Sequence, residues 1–398
     1  MQSYRHQGMV TANGRVNPAQ EITDATALQV QPADDALQLS SFEIGNFEWW
    51  YFDVIDARHG YVLKLVVHLG TDPLRTTFYP LVAVSLLTPQ GTKSLRQSFA
   101  LEDFEASRTA CDVRIKDAFH AWVESSGPVR TYHLAVCIPS FSATLQFQSH
   151  SLGWKPLGDH IPIEQAGKHA AFSWVIPAPM AKVVGTFCSD GVDYELNAAL
   201  GYHDHNAWQV DPQAKLFMDR AISHWRWGRF LGRDAAVVFM DTQFNTHSLQ
   251  SCLITRNGRI LHSSNNRVEV VTARERWDAA IRTVYPTQMT VTLTEAPCAL
   301  HMALTARAVI DRRDLLEGVS PFLKWLIRHL ISKPSYYGIL ADATVSLGDE
   351  TLHGEALYES MALRRRPWVY RKAWGRWVNS ASRSTARSAR ATRSSIFP

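Results

Sequence analysis

The sequence consists of short runs of β-branched and aromatic residues separated by turn-forming segments, and this pattern restricts the fold more than any other feature. Turn segments such as 57–60 and 89–91 separate neighbouring runs, with no helical crossover between them. Strands at this spacing are typical of an antiparallel barrel or sandwich. In the first half of the chain the clearest runs are 48–54, 61–68 and 132–138.

The second half repeats the β pattern and contains one helix. We predict this helix over 321–333, entered through Ser320-Pro321 and ended by Pro334. Apolar positions cover more than half of its circumference, so it either packs on a barrel or lies at a membrane interface, and packing is the preferred interpretation. The strand-like runs of this half are 235–242, 251–255, 268–271 and 289–293.

The chain is long enough for two domains. It has 398 residues, of which 46% are hydrophobic and 20% charged. We assign 1–35 to an N-terminal arm, 36–208 to an N-terminal domain, 209–362 to a C-terminal domain and 363–398 to a basic tail. No apolar run reaches the roughly 18 residues of a membrane span, and the polar start does not resemble a secretion signal. A cytoplasmic protein is therefore expected.

Positive charge is concentrated in the tail. Residues 364–398 hold nine arginines and Lys372 without an acidic residue, which gives +10; because the whole chain is +4, the preceding 363 residues carry −6. The tail has too little apolar surface to fold alone, so a solvated disordered end is the first interpretation. Its interleaved tryptophans and arginines also suit peripheral association with an anionic membrane surface. Nucleic acid is not an expected partner.

The densest group of chemically competent side chains lies at 201–208, Gly-Tyr-His-Asp-His-Asn-Ala-Trp. It follows the alternating run 194–200, which predicts a strand, so Tyr202, Asp204 and Asn206 should share one face and the two histidines the other. If the first face lies in an apolar pocket, low dielectric favours the neutral, proton-donating carboxyl of Asp204. This pattern predicts a general acid.

Four runs carry a resemblance to a known family: 48–51 (Glu-Trp-Trp-Tyr), 201–206, Trp225-x-Trp227-Gly228 and 354–359 (Gly-Glu-Ala-Leu-Tyr-Glu). In this order they resemble the carotenoid 1,2-hydratase (hydroxyneurosporene synthase) and AttH-like family, which includes fungal lipocalin-like Diels–Alderases and related cyclases. The resemblance implies an all-β fold of two lipocalin-like antiparallel barrel or sandwich domains side by side, with the helix in the C-terminal domain. It also implies a small lipophilic ligand between or within the domains, and no organic cofactor.

The resemblance further implies catalytic residues. In the hydratase branch these are a Tyr-x-Asp pair, matched here by Tyr202-x-Asp204, and an upstream His-x-Trp pair. The counterpart of the second pair is Phe172-Ser173-Trp174, with phenylalanine in place of the histidine. This departure argues against strict hydration, because a site without that polar group holds water less well and favours ring closure.

The chemistry of the motif can also be stated from the residues. Protonating an alkene makes a carbocation, which requires a desolvated acid and negative aromatic faces that stabilise the cation. Asp204 is the predicted donor, and Tyr202, Trp174, Trp225 and Trp227 the predicted aromatic faces, although the tryptophans can equally be core residues. The predicted catalytic residues are Tyr202 and Asp204. The predicted substrate-binding residues are Trp50, Phe172, Trp174, His203, Asn206, Trp225, Trp227 and Glu48.

Glu48 and the motif histidines have alternative roles. Glu48 is either a buried acid facing the ligand or the ion-pair partner of Arg226 or Arg229, and the ion pair is preferred because an unpaired buried carboxylate is costly. His203-x-His205 has the spacing of cupin-type iron or manganese sites. No matching later Glu/His pairing is evident, so hydrogen bonding to loops is expected and no metal.

The remaining patterns narrow the function. The five cysteines are scattered, which predicts reduced core thiols. The chain lacks the motifs of serine hydrolases, P-loop NTPases, dinucleotide-binding enzymes and zinc proteases. We therefore predict a cofactor-independent enzyme that hydrates or cyclises an alkene of a polyene or terpenoid substrate. The alternatives are a pericyclase that steers a cycloaddition by shape, and a non-catalytic lipocalin-like carrier of a lipophilic metabolite.

Overall fold

A computed structural model describes residues 29–363 apart from 72–76, 125–128, 157, 159, 246–247, 266, 295–298 and 331. The tail and most of the predicted arm lie outside this part. Within it the chain forms two curled antiparallel sheets, which lie side by side as half-barrels. The predicted all-β class is therefore confirmed.

The first sheet contains twelve of the described strands, in the order β4-β3-β2-β1-β12-β11-β9-β8-β7-β6-β5, with β10 paired to β11. Its most regular strands alternate buried and less buried residues, as β9 does, which is the pattern of a sheet with one face on a core. The strands are β1 Phe47–Asp56, β2 Tyr61–Thr71, β3 Phe78–Thr88, β4 Gly91–Ser98, β5 Phe104–Ala106, β6 Asp112–Ile115, β7 Phe119–Val123, β8 Thr131–Ile138, β9 Phe141–Ser149, β10 Ile161–Gln165, β11 Lys168–Ser189 and β12 Val192–Val210.

The second sheet contains nine described strands in the order β16-β15-β14-β13-β21-β20-β19-β18-β17. Its interior holds a separate apolar core that includes Phe230, Phe239 and Tyr358. The strands are β13 Ile222–Leu231, β14 Ala235–Phe244, β15 Ser248–Arg256, β16 Arg259–Asn265, β17 Val268–Asp278, β18 Thr283–Leu293, β19 Leu300–Asp314, β20 Ser335–Leu347 and β21 Glu350–Ala362.

The two sheets meet through their central strands. One face of β1 packs into the interior of the first half-barrel, with Trp50 and Phe52, while the other face packs against the second sheet, with Phe47 and Tyr51. The opposing residues of the second sheet include Trp227. Because both faces are covered, β1 is almost continuously buried, which explains the unbroken aromatic run in its sequence.

Helices are few and short in the described residues. A 3-10 turn covers Pro32–Asp35, helix α1 covers Met218–Ala221 between the sheets, and helix α2 covers Pro321–Leu330. The predicted helix therefore begins at Pro321 as expected and ends three residues before 333. No helix in the described part of the chain is long and apolar enough to span a membrane.

The cysteines agree in part with their prediction. Cys111 and Cys252 are buried thiols, while Cys137 is exposed, and all of the described cysteines are free. Cys298 lies outside the described residues. The expectation of core thiols is therefore wrong for Cys137, which lies at an exposed position of β8.

Candidate active site

The motif 201–208 lies in the middle of β12, and its side chains alternate as predicted. Asp204 Oδ2 accepts hydrogen bonds from Tyr202 OH at 2.8 Å and from Trp174 Nε1 at 3.1 Å. Its Oδ1 accepts one from Asn206 Nδ2 at 3.1 Å. Tyr202, Asp204 and Asn206 therefore share the face of β12 that meets the second domain.

Burial sets the protonation state of this group. Asp204 is buried, and desolvation raises the pKa of its carboxyl well above the usual range, against the opposing effect of the hydrogen bonds from Trp174 and Tyr202. Burial and the neighbouring Asp204 likewise raise the pKa of Tyr202. The neutral carboxyl favoured by this site is the form that a general acid requires.

Aromatic rings surround the acid on the interface side. Tyr202 lies 5.2 Å from Trp227 and 6.1 Å from Tyr51, between ring centroids. Trp174 packs edge-on against Trp154 at 5.7 Å, and Phe172 packs edge-on against Trp225 at 5.7 Å. These predicted aromatic residues therefore come together at the domain interface.

The two motif histidines lie on the opposite face, inside the first half-barrel. His203 Nε2 lies 3.2 Å from Asp35 Oδ2, and His205 Nε2 lies 2.7 Å from Glu48 Oε1. Trp50 stacks on His205 with ring centroids 4.5 Å apart. These contacts tie β1 and β12 to the segment that precedes β1.

The predicted ion pair of Glu48 with Arg226 or Arg229 is wrong. Alternation along β1 turns Glu48 into the half-barrel, where it accepts the backbone N–H groups of Gln38 and Leu39 in addition to the contact with His205. Both arginines lie in the second domain. Arg226 binds a carboxylate of that domain, and Arg229 binds one across the interface. Arg226 donates to Asp241 at 3.0 Å, and Arg229 makes a two-point contact with Asp53.

One group of buried side chains has the spacing of metal ligands. The ligand atoms of Asp35, Cys111 and His203 lie within 4.8 Å of one another. Burial alone would raise the pKa of Asp35, but His203, His205 and Arg130 outweigh it and hold that pKa below its usual value. The cluster is also separated from Asp204 by the thickness of the sheet.

A cavity of about 800 Å³ opens between the two domains. Its walls include Trp49 and Tyr51 of β1, Trp225 of β13 and Leu323 and Ile327 of α2. The sequence predicts ten catalytic or substrate-binding residues, Tyr202 and Asp204 among them. Of these only Trp225 lies in the wall.

The physical reason for this correction is strand position. The cavity covers β1, β2 and β3 on the side of the first domain, whereas Asp204 lies on β12, directly beside Tyr51 in the sheet. The Tyr51 ring, packed 5.2 Å from Trp227 between ring centroids, therefore stands at the boundary between Asp204 and the cavity. Trp50 faces the interior of the first half-barrel and cannot reach a ligand in this cavity.

The cavity also has a polar end that the sequence did not predict. Lys64 Nζ lies 3.0 Å from Asp311 Oδ2 and 2.6 Å from Tyr336 OH, and Tyr336 OH donates to Glu359. Lys64, Tyr336 and Glu359 are cavity-wall residues. Burial raises the pKa of Glu359, although Lys64 and Tyr336 oppose that shift. Glu359 closes the run 354–359, which was the one sequence signal for this group.

His68 lies in the cavity wall on β2, four residues along the strand from Lys64. Burial, helped by Arg96, lowers the pKa of His68 to about 4. The imidazole is therefore neutral at neutral pH and contributes an apolar ring face, stacked 6.2 Å from Trp49 between centroids.

Three solved structures share this fold. Kievitone hydratase from Nectria haematococca matches with a TM-score of 0.55 and 11% identity over 88% of this chain and 96% of its own. CghA with Sch210972 matches with a TM-score of 0.52 and 12% identity, over 80% and 89%. A putative AttH from Nitrosomonas europaea matches with a TM-score of 0.54 and 15% identity, over 80% and 93%.

The chain has the fold of these proteins. The fold expected from the resemblance is therefore confirmed, and structural neighbours of both the AttH and the hydratase type are consistent with the resemblance itself. No family model and no curated protein matches the sequence. At these identities the likeness concerns the fold, and the reaction has to be argued from the site.

Proposed function

We propose that the protein is a cofactor-independent enzyme that protonates an alkene of a lipophilic, polyene or terpenoid substrate and so starts its hydration or cyclisation. The observation that carries this proposal is the buried carboxyl of Asp204, with a raised pKa, beside Tyr51 of the cavity wall. Such a carboxyl is neutral and desolvated, as an acid that initiates carbocation chemistry must be.

Proton transfer requires that the substrate reach Asp204. Tyr51 is the neighbour of Asp204 across the β1–β12 ladder, and its ring is part of the cavity wall. Turning the Tyr51 side chain aside would join the cavity to the space beside Asp204. In the proposed mechanism the substrate displaces Tyr51 and places an alkene carbon near the Asp204 carboxyl, with Tyr202 orienting the acid through its 2.8 Å hydrogen bond.

The cavity wall suits a carbocation. Trp49, Tyr51 and Trp225 present aromatic faces, which attract positive charge through their negative π-clouds. Phe172 packs behind Trp225 and offers no polar group to hold a nucleophilic water. We therefore favour attack on the cation by an alkene carbon or hydroxyl oxygen of the substrate, hence cyclisation, over attack by water; the cyclised cation then loses a proton, which returns Asp204 to its neutral form.

Glu359 is the alternative proton donor. It lies in the cavity wall, and its pKa is raised by burial. Its hydrogen bond with Tyr336 and its 3.6 Å contact with Lys64 favour the charged form, so it is the weaker acid candidate. Lys64, Tyr336 and Glu359 also argue against a simple carrier, because holding an apolar molecule needs no such groups.

A pericyclase is the second candidate function, and the position of Asp204 outside the cavity wall favours it. A cycloaddition could then be steered by the shape of the wall alone. In that case neither carboxyl takes part in a bond-making step.

Matched variants separate these functions. The substrate is chosen from lipophilic polyenes and terpenoids, guided by mass spectrometry of extracts of the purified protein. Asp204→Asn should lower the rate of the chemical step by about two orders of magnitude or more, the usual contribution of general acid catalysis, with little change in affinity. Glu359→Gln should have a smaller effect. Tyr358→Phe, which removes a buried hydroxyl in the core of the second domain, is the control and should leave the rate unchanged.

Wild-type rates in Asp204→Asn would contradict the assignment of Asp204 as the acid. If Glu359→Gln alone lost activity, the acid mechanism would stand with Glu359 as the donor. If both variants kept their rates while Trp225→Ala lost activity, the pericyclase would be favoured.

A further inference from the structure

Helix α2 forms part of the cavity wall and turns its largest aromatic side chains away from the protein. Phe322 is 74% exposed and Trp325 is 55% exposed, and their rings stack with centroids 6.4 Å apart. At 3.6 residues per turn these two side chains share one face of the helix with His329. Leu323 and Ile327 lie on a second face and form part of the cavity wall.

A third face fixes the helix in this orientation. Lys324 pairs with Asp314, and Arg328 Nη2 donates to Asp314 Oδ2 at 2.7 Å. Arg328 also donates to the carbonyl of Ile281 at 3.2 Å, in the turn between β17 and β18. The exposure of Phe322 and Trp325 is therefore set by specific contacts on the other two faces of the helix.

The apolar surface continues onto the adjoining hairpin. Trp277 of β17 is 55% exposed, and its cross-strand partner Val284 on β18 is exposed as well. Lys333, just beyond α2, places its Nζ 5.7 Å from the centre of the Trp277 ring. We call Phe322, Trp325, Trp277 and Val284 the aromatic patch. Exposed apolar surface of this kind marks a docking site more often than an ordinary solvated face.

Exposed arginines occur in the same hairpin as Trp277. The stretch 274–282 exposes three arginines, at 274, 276 and 282, and one acid, Glu275. The described chain ends at Leu363 in the cavity wall, and the sequence continues into 364–398 with three tryptophans and a charge of +10. Aromatic residues flanked by arginine and lysine suit the interface of an anionic bilayer, where the rings lie at headgroup depth and the cations meet the phosphates.

We propose that the aromatic patch docks on an anionic phospholipid bilayer, and that lipophilic molecules pass between this bilayer and the interdomain cavity alongside α2. Helix α2 links the aromatic patch to the cavity, because its adjacent residues Phe322 and Leu323 belong to different faces: Phe322 faces the outside and Leu323 lies in the cavity wall. The docking goes beyond the proposed function and is independent of which carboxyl donates the proton, whereas the passage of lipophilic molecules rests on the proposed function.

Vesicle sedimentation with the full-length protein tests the proposal. Wild type should bind vesicles of phosphatidylcholine with about 30% phosphatidylglycerol more tightly than vesicles of phosphatidylcholine alone. Phe322→Ser/Trp325→Ser should weaken binding to the anionic vesicles by at least about tenfold, because two interfacial anchors are lost. The control is Val192→Ser/Leu261→Ser, which removes two exposed apolar side chains outside the patch and should bind as wild type does.

Surface substitutions of this kind change stability little, and matched thermal unfolding curves check that both variants are folded. Undiminished binding by Phe322→Ser/Trp325→Ser would overturn the proposal, as would an equal loss in the control. Failure of the wild-type protein to sediment with anionic vesicles would overturn it as well.

Discussion

The ion pair between Asp53 and Arg229 joins the two domains. Replacing Asp53 should destabilise the protein more than replacing Arg229. Both side chains are fully buried, and Arg229 Nε lies 3.1 Å from Asp53 Oδ2. Asp53→Leu leaves a guanidinium that cannot lose its proton inside the interface. Arg229→Met leaves a carboxyl whose pKa burial already raises, so it can become neutral by taking up a proton.

The magnitudes follow from this asymmetry. Removing one partner of a buried pair costs about 3–5 kcal/mol, and Asp53→Leu should fall in that range. Arg229→Met should cost about 1–3 kcal/mol, the penalty for an unsatisfied buried polar group. For domains of this size each kcal/mol lowers the Tm by about 2–4 °C, so Asp53→Leu should lower it by about 6–20 °C. The double variant with both apolar residues should recover most of the loss.

The stability of Arg229→Met should fall as the pH rises. A carboxyl with a raised pKa in the folded state contributes stability that is present at low pH and is lost as the pH rises through that pKa. Arg229→Met should therefore lose more stability at about pH 8 than at about pH 5.

Calorimetry and urea unfolding of the three variants give the required values. The control is Asp234→Leu, which breaks a partly exposed pair with Arg256 and should cost less than about 1 kcal/mol. If Asp53→Leu melts within 2 °C of wild type, or if Arg229→Met is the more damaging change, the description of a desolvated domain interface is wrong.

Three further predictions concern the site and the tail. Asp204→Asn should gain stability relative to wild type as the pH rises from about 4 to about 9, because the raised pKa of Asp204 makes wild type lose stability over that range. Urea titrations at several pH values measure the free energy of unfolding of both proteins. Parallel plots of that free energy against pH would contradict the prediction. Trp225→Ala should cost about 3–5 kcal/mol, measured by unfolding, and should weaken binding of the lipophilic substrate, because Trp225 is a buried residue of the cavity wall. Truncation after residue 363 should remove most of the binding to anionic vesicles at low salt, while turnover of soluble substrate analogues stays intact. Unchanged vesicle binding would refute a membrane role for the tail.

Local sequence patterns predicted the elements well. Every strand-like run that we identified lies inside a strand, and the start of α2 at Pro321 follows from its Ser-Pro entrance. The faces of Tyr202, Asp204 and Asn206 were predictable because side chains alternate along any strand. These features depend on residues close together in the chain.

Long-range contacts were not predictable in the same way. Glu48 pairs with His205 because β1 lies beside β12, a pairing across more than 150 residues. Likewise the polar end of the cavity joins Lys64 to Asp311 and Tyr336 from the other domain. The position of Asp204 one strand away from the cavity wall depends on how the two curled sheets meet, which no local pattern records.

The central claim is that the protein adds a proton to a substrate carbon at the domain interface. Turnover of the lipophilic substrate in D₂O, followed by mass spectrometry and NMR of the product, tests it most directly. Acid initiation by Asp204 predicts one deuteron on a product carbon and a strong loss of its formation in Asp204→Asn. An unlabelled product formed by Asp204→Asn at near wild-type rate would contradict the claim and leave a shape-directed cycloaddition as the account of this cavity.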